Sequence, residues 1–173
     1  GLEALEFEAG AKAVLSNGEN LEADHVLWTA GIEPMAQFLG LGDMVDEHIH
    51  RVPMVIYYFM FGKALEGPYT YQRNYDPNDL FFTASLPGSY GPRTCPEGRT
   101  YACCEIPTTF DSPQWQDPDA HADRVWEELV RYGLVTGGRP DHSLSFTVPV
   151  TYKMPKMGFG QLVDAIRQKN SRE

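Results

Sequence analysis

The sequence predicts an α+β fold, mainly an antiparallel sheet with helices packed on one face, and three observations lead there. Between Val52 and Ile106, four extended segments rich in aromatic and β-branched residues follow one another with turn signals and no helical period between them. One strongly amphipathic segment, Asp119 to Tyr132, supplies an apolar stripe able to cover such a sheet. Ahead of both, Asn17-Gly18 marks a hairpin, and the almost wholly apolar run His25 to Ala30 after it has the pattern of a strand covered on both faces.

Taken in order, Lys12 to Ser16 and Glu19 to Glu22 form a β-ribbon around Asn17-Gly18, and the strand from His25 to Ala30 ends at Gly31. Met35, Phe38 and Leu39 at helical spacing predict a short helix from Glu33 to Leu41, stopped by Gly40. The polar stretch 42–51 reads as a linker, so residues 1–41 and 52–173 are expected to form separate parts. Strands follow over Val52 to Lys63, Tyr69 to Arg73, Leu80 to Leu86 and Arg99 to Ile106, divided at Gly67-Pro68, Asp76-Pro77-Asn78 and Pro87-Gly88.

In the Asp119 to Tyr132 helix, Ala122, Val125, Trp126, Leu129 and Val130 share a face, with Asp117 as N-cap, Pro118 in the first turn and Gly133 as stop. Glu127 and Arg131 are spaced to pair on its wet side. Ser143 to Val150 returns as a strand, and Gly160 to Gln168 is a second helix carrying Leu162, Val163 and Ile166.

The 173 residues, 42% hydrophobic and 12% aromatic, suffice for a buried core. A net charge of −10 without a Lys and Arg cluster excludes a nucleic-acid surface. The longest apolar run, Val52 to Phe61, is about half of what a membrane-spanning helix needs, so no span is expected. Cys95, Cys103 and Cys104 are odd in number, and the adjacent pair would point to opposite faces of a strand. Reduced thiols and a cytoplasmic location follow, rather than a disulfide framework. His48 and His50 alternate without a third ligand, so no metal site is assigned. No nucleophile constellation stands out either.

The stretch from Ala13 to Pro34, with its hairpin, Ala23-Asp24, hydrophobic strand and small-residue turn, resembles the return to the nucleotide-binding sheet in FAD-dependent oxidoreductases of the amine oxidase and protoporphyrinogen oxidase superfamily. Tyr69 to Arg73, Leu80 to Tyr90 and Tyr101 to Glu105 resemble that superfamily's substrate-binding sheet, with UDP-galactopyranose mutase-like members nearest. The glycine-rich strand, turn and helix that seat the pyrophosphate have no counterpart, and Gly158-Phe159-Gly160 is no substitute. The resemblance therefore implies an interior piece of a larger flavoprotein. Residues 1–41 would belong to its FAD domain and 52–173 to its substrate domain. FAD would bind the full-length parent and not this chain alone.

On that resemblance, Trp28, Thr29, Ala30 and Gly31 lie nearest the cofactor, since small residues at a strand end let backbone approach a ligand. The ordinary alternative is a glycine turn. Tyr69, Tyr71 and Arg73 alternate on one strand and share a face, and an arginine with two phenols suits an anionic or sugar-like ligand. Cross-strand aromatic pairing is the ordinary alternative. Relatives place an arginine where this chain has Phe81-Phe82-Thr83, and Thr83 supplies neither its charge nor its fork. Tyr90 and Arg93, just beyond, are positioned to compensate. Glu105, at the end of an apolar strand, could orient substrate or serve as a base, or simply pair with Arg73 or Arg99. Two functions stay open. One is an inactive-alone substrate-binding module whose partners are the missing FAD-binding segments and a small-molecule substrate. The other is a free-standing protein-interaction module, forming a homodimer over its bare surface.

Overall fold

The computed structural model describes residues 4–8, 12–15, 17–22, 24, 27–63, 65, 69–91, 93–136 and 138–170. It is α+β, and the chain divides into two compact units: Gly1–His50 with Met154–Glu173, and Arg51–Lys153.

The first unit carries a three-stranded antiparallel sheet in the order β1 (Ala4–Glu8), β2 (Lys12–Leu15), β3 (Asn20–Glu22). Asn17-Gly18 turns the chain as expected. Gly18 takes φ 85°, its N–H donates to Leu15 O at 2.9 Å, and Asn17 Oδ1 accepts from Glu19 N. The ribbon thus gains a strand, β1, that the sequence reading did not anticipate.

The buried strand expected over His25 to Ala30 is corrected. His25 and Val26 lie outside the described residues, and Leu27 to Thr29 make no ladder, with Leu27 89% exposed. An apolar run forms a buried strand only where neighbours pair its backbone on both sides, and no described strand runs beside it.

The expected short helix is α1 (Ile32–Phe38). The linker is a second correction, because Gly42–His48 is a helix, α2, that buries Val45 and His48. Ala36 from α1, Val45 from α2, Ile49, and Leu162 and Ile166 from α5 (Phe159–Asn170) form one apolar cluster. Leu162 and Ile166 are one helical turn apart and so face the same way, while Ile49, extended backbone just past the end of α2, adds its side chain to the cluster. Lys156 N donates to His48 O at 2.9 Å, and Lys156 Nζ to Asp46 O at 2.7 Å, tying the approach of α5 to α2.

The second unit is built on a five-stranded sheet in the order β5 (Tyr71–Arg73), β6 (Thr83–Ser85), β7 (Thr100–Pro107), β4 (Ile49–Phe61), β8 (His142–Pro155). β5 pairs with β6, β6 with β7 and β7 with β4, each antiparallel. Edge strand β8 tolerates Pro149 and Pro155, which lack the N–H an inner strand needs on both sides.

Alternation puts Val55, Tyr57, Phe59 and Phe61 of β4, Ala102, Cys104 and Ile106 of β7 and Ala84 of β6 into one core. Helix α4 (Ala122–Arg131) covers it with Val125, Trp126 and Leu129, and Trp126 lies 5.4 Å from the Phe59 ring and 5.5 Å from Phe61. One-sided helix packing in this unit is as expected. Val130, placed on the apolar face by spacing, is 45% exposed. Asp117 Oδ1 accepts from Ala120 N at 3.3 Å, opening a single 3-10 turn before α4, and a further short helix, α3 (Pro113–Gln116), precedes it. Gly133 stops α4 at φ 66°, and Leu134 N reaches back to Leu129 O.

Arg131 does not pair with Glu127. It bonds Asp79, whose carboxylate also accepts from Asn74 Nδ2 at 2.9 Å and Tyr132 Oη at 2.5 Å. The Tyr132 hydroxyl is the main cause holding the Asp79 carboxyl below its ordinary value, followed by Asn74 and Arg131. The buried Glu128 takes N–H groups from Leu80 and Phe81 and Arg124 Nε at 3.2 Å, so the loop before β6 is fastened to α4.

Candidate functional site: the open face of the five-stranded sheet

The face of the sheet opposite α4 is chemically different. Register places Arg73 opposite Thr83, Thr83 opposite Glu105 and Glu105 opposite Ile56, while Tyr71, Ser85, Cys103 and Tyr58 form the adjoining row. Directly opposed residues share a face, so Tyr71, Arg73 and Glu105 lie on one surface, with the β5 and β7 backbones roughly 10 Å apart across β6. Three of the six residues singled out from sequence as candidate substrate contacts are therefore brought onto one surface.

Arg73 is held in place. Its Nε donates to Tyr71 Oη at 3.0 Å, and its guanidinium lies over the Phe82 ring at 5.8 Å. The Tyr71 bond, then Tyr75, pushes its pKa above the ordinary arginine value. Glu105 is half-buried within β7 rather than at its end, and among the described residues it forms no salt bridge with Arg73 or Arg99. Between the two charges, Thr83 is 3% exposed and its Oγ1 has no hydrogen-bond partner among the described residues. A buried hydroxyl without a partner is uncommon and marks the centre of this face.

The other residues singled out lie elsewhere. Tyr69 precedes β5 and is exposed, beside a cavity of only about 10 Å³ that has room for a water and nothing larger. Tyr90 follows a 3-10 turn and Arg93 sits in the loop beyond; both are exposed. In the first unit, Trp28 Nε1 donates to Gly31 O at 2.6 Å and its ring meets Phe38 edge-on at 5.4 Å. Thr29, Ala30 and Gly31 are exposed, and Gly31 has φ 89° with nothing within 4 Å of where a side chain would start.

The cysteines take the arrangement alternation dictates. Cys104 is buried in the core, and burial pushes its thiol well above the ordinary value; Cys103 is on the open face, its thiol also raised chiefly by burial. Among the described residues no group of three His, Cys, Asp or Glu could hold a metal, and no helix is long and apolar enough to cross a membrane.

Sequence reading missed the residues that continue this face. Tyr58 meets Tyr101 edge-on at 5.4 Å and stacks on Phe146 at 5.7 Å, and burial raises both phenols. Alternation along β4 carried the signal, since Ile56, Tyr58 and Met60 must oppose Tyr57, Phe59 and Phe61. Which set faced the helix depended on the packing of α4.

No family model matches the sequence, and no curated protein matches it. Solved structures do resemble it. A reduced UDP-galactopyranose mutase superposes with a TM-score of 0.70 at 14% identity, over 98% of this chain and 38% of that one. A proposed protoporphyrinogen oxidase from an Exiguobacterium species gives 0.61 at 15% identity, over 97% of this chain and 38% of that one. An oxidoreductase from Methanosarcina mazei gives 0.54 at 14%, over 86% and 37%. The chain thus spans well under half the length of the structures it resembles, and what it shares with these mutase and oxidoreductase structures is a fold.

Proposed function

We propose that the chain is the substrate-binding module of a FAD-dependent oxidoreductase of the amine oxidase type, forming the wall of the substrate pocket over the flavin and inactive alone. The observation that carries this reading is the two-sided character of the sheet, with α4 packed on one face and Tyr71, Arg73, Thr83 and Glu105 gathered on the other. Structural likeness to a mutase and to oxidoreductases supports it.

In this reading Arg73, pre-oriented by Tyr71, grips an anionic or hydroxyl-rich part of a small-molecule substrate. The partnerless Thr83 hydroxyl offers a bond between the two charges, and Glu105 orients a donor on the substrate. Residues 1–41 belong to the FAD domain of the parent, where the open space over Gly31 admits close approach of the cofactor beside Trp28, Thr29 and Ala30. The flavin supplies the redox chemistry of the parent.

The test is flavin content. This chain purified alone is expected to be colourless, and the longer polypeptide with the missing FAD-binding segments to be yellow. In that polypeptide Arg73→Ala should leave flavin bound while raising the KM for substrate. A full-length protein without flavin refutes the proposal.

A further inference from the structure

Where β4 runs out at Phe61-Gly62, a cavity of about 700 Å³ opens at the end of the sheet, within the range of small-molecule sites. Its apolar wall is Tyr58 and Met60 of β4, Tyr101 of β7 and Leu144 of β8, and its rim carries Arg99, Asp141 and His142. The wall is ordered before any ligand arrives, because Tyr58 is fixed between Tyr101 and Phe146. It also offers apolar surface to water, with Met60 37% and Leu144 51% exposed.

The two rim charges are not equivalent. Asp141 is engaged: its Oδ2 accepts from Gly62 N at 2.5 Å while its own N–H donates to Met60 O at 2.9 Å, closing the β4–β8 corner. Arg99 is anchored only through its backbone, whose N–H donates to Pro96 O at 3.0 Å. Among the described residues its guanidinium makes no hydrogen bond or ion pair, so a planar fork of donors stands free on the rim of a cavity that two aromatic rings also line.

We propose that this cavity binds a planar organic anion of the aromatic carboxylate class, its ring against Tyr58, Tyr101, Met60 and Leu144 and its carboxylate on the Arg99 guanidinium. Stacking on fixed aromatic rings supplies apolar contact, and the bidentate fork supplies direction and charge selection. The site continues the same open face through Tyr58 and Tyr101 but uses none of Tyr71, Arg73 and Glu105, and it does not rest on the flavin reading.

Calorimetric titration of the 173-residue chain with naphthoate, and in parallel with the uncharged naphthamide, tests it. The expected result is one saturable naphthoate site per chain, with naphthamide about tenfold weaker, as loss of a charge-assisted bond implies. Arg99→Ala, at an exposed side chain, should weaken naphthoate by a similar factor with the circular dichroism unchanged. Asp141→Asn retains an acceptor for the Gly62 N–H and removes a like charge, so naphthoate should bind about twofold tighter. Absence of saturable binding overturns the proposal, as does equal affinity for naphthamide or no response to Arg99→Ala. Preference for naphthylmethylammonium, abolished by Asp141→Asn, would assign the cavity to cations and overturn it equally.

Discussion

The two faces of the five-stranded sheet come from the same strands, residue by alternate residue, yet they answer to different demands. Toward α4 lie Val55, Tyr57, Phe59, Phe61, Ala102, Cys104 and Ile106, closed by Trp126 and Leu129. The buried phenol of Tyr57 finds a partner there: Tyr57 Oη donates to Pro118 O at 2.8 Å, and burial, followed by Asp119 and Asp117, pushes its pKa up to about 12. On the opposite face lie an arginine, a glutamate, a partnerless threonine and a cluster of tyrosines. One face is closed by apolar packing, whereas the other keeps hydrogen-bonding capacity unspent.

The contrast makes graded predictions. Trp126→Ala should remove about 3–5 kcal/mol of stability in denaturant unfolding, because it empties the space between α4 and two β4 rings. A loss below about 1 kcal/mol would mean that the helix face is not the closed one. Next comes Glu128→Leu, which leaves the Leu80 and Phe81 N–H groups without their acceptor. It should cost about 2–3 kcal/mol, and hydrogen exchange at those two amides should accelerate selectively.

Acid should loosen the same loop before β6, which Asp79 also ties to Arg131 and Tyr132. Asp79 has a folded pKa below its unfolded value, so its contribution is present above the ordinary carboxylate pKa of about 4 and is lost as pH falls through the folded value. Asp79→Asn should therefore flatten the stability curve below about pH 4 relative to the parent chain. An unchanged slope in urea melts across that range would remove Asp79 from the account.

On the open face the signs change. Thr83→Val keeps the shape and removes a buried hydroxyl without a partner, so thermal melts should show stability unchanged or raised by up to about 1 kcal/mol. Destabilisation would show that Thr83 serves the fold. Arg73→Ala should have the smallest effect on folding, within about 0.5 kcal/mol, because its contacts are exposed. A larger loss would erase the distinction between the faces.

How much of this was legible before the structure varied by element. Helix α4 announced its covering face and its stop at Gly133, because helical spacing and a glycine C-cap are local properties. Tyr71 and Arg73 shared a face by the period of a strand alone, whereas Glu105 joined them only through register, which no single segment carries. Helix α2 was hidden because its polar sequence looks like a linker until Val45 joins the cluster with Leu162 and His48 is buried beside it in sequence. The cavity beside Arg99 was hidden for a similar reason, since its walls come from three strands far apart in sequence.

By itself, then, the sequence determined the α+β class, the turns at Gly18 and Gly133, the amphipathic cover and the alternation that gives each strand two chemically distinct sides. Tertiary structure alone decided which side faced α4, that the run at Leu27 to Ala30 made no ladder, and that Arg73, Thr83 and Glu105 stand in one row. Local periodicity fixes directions along a single segment, but strand order, register and burial are set by the free energy of pairing and packing between segments.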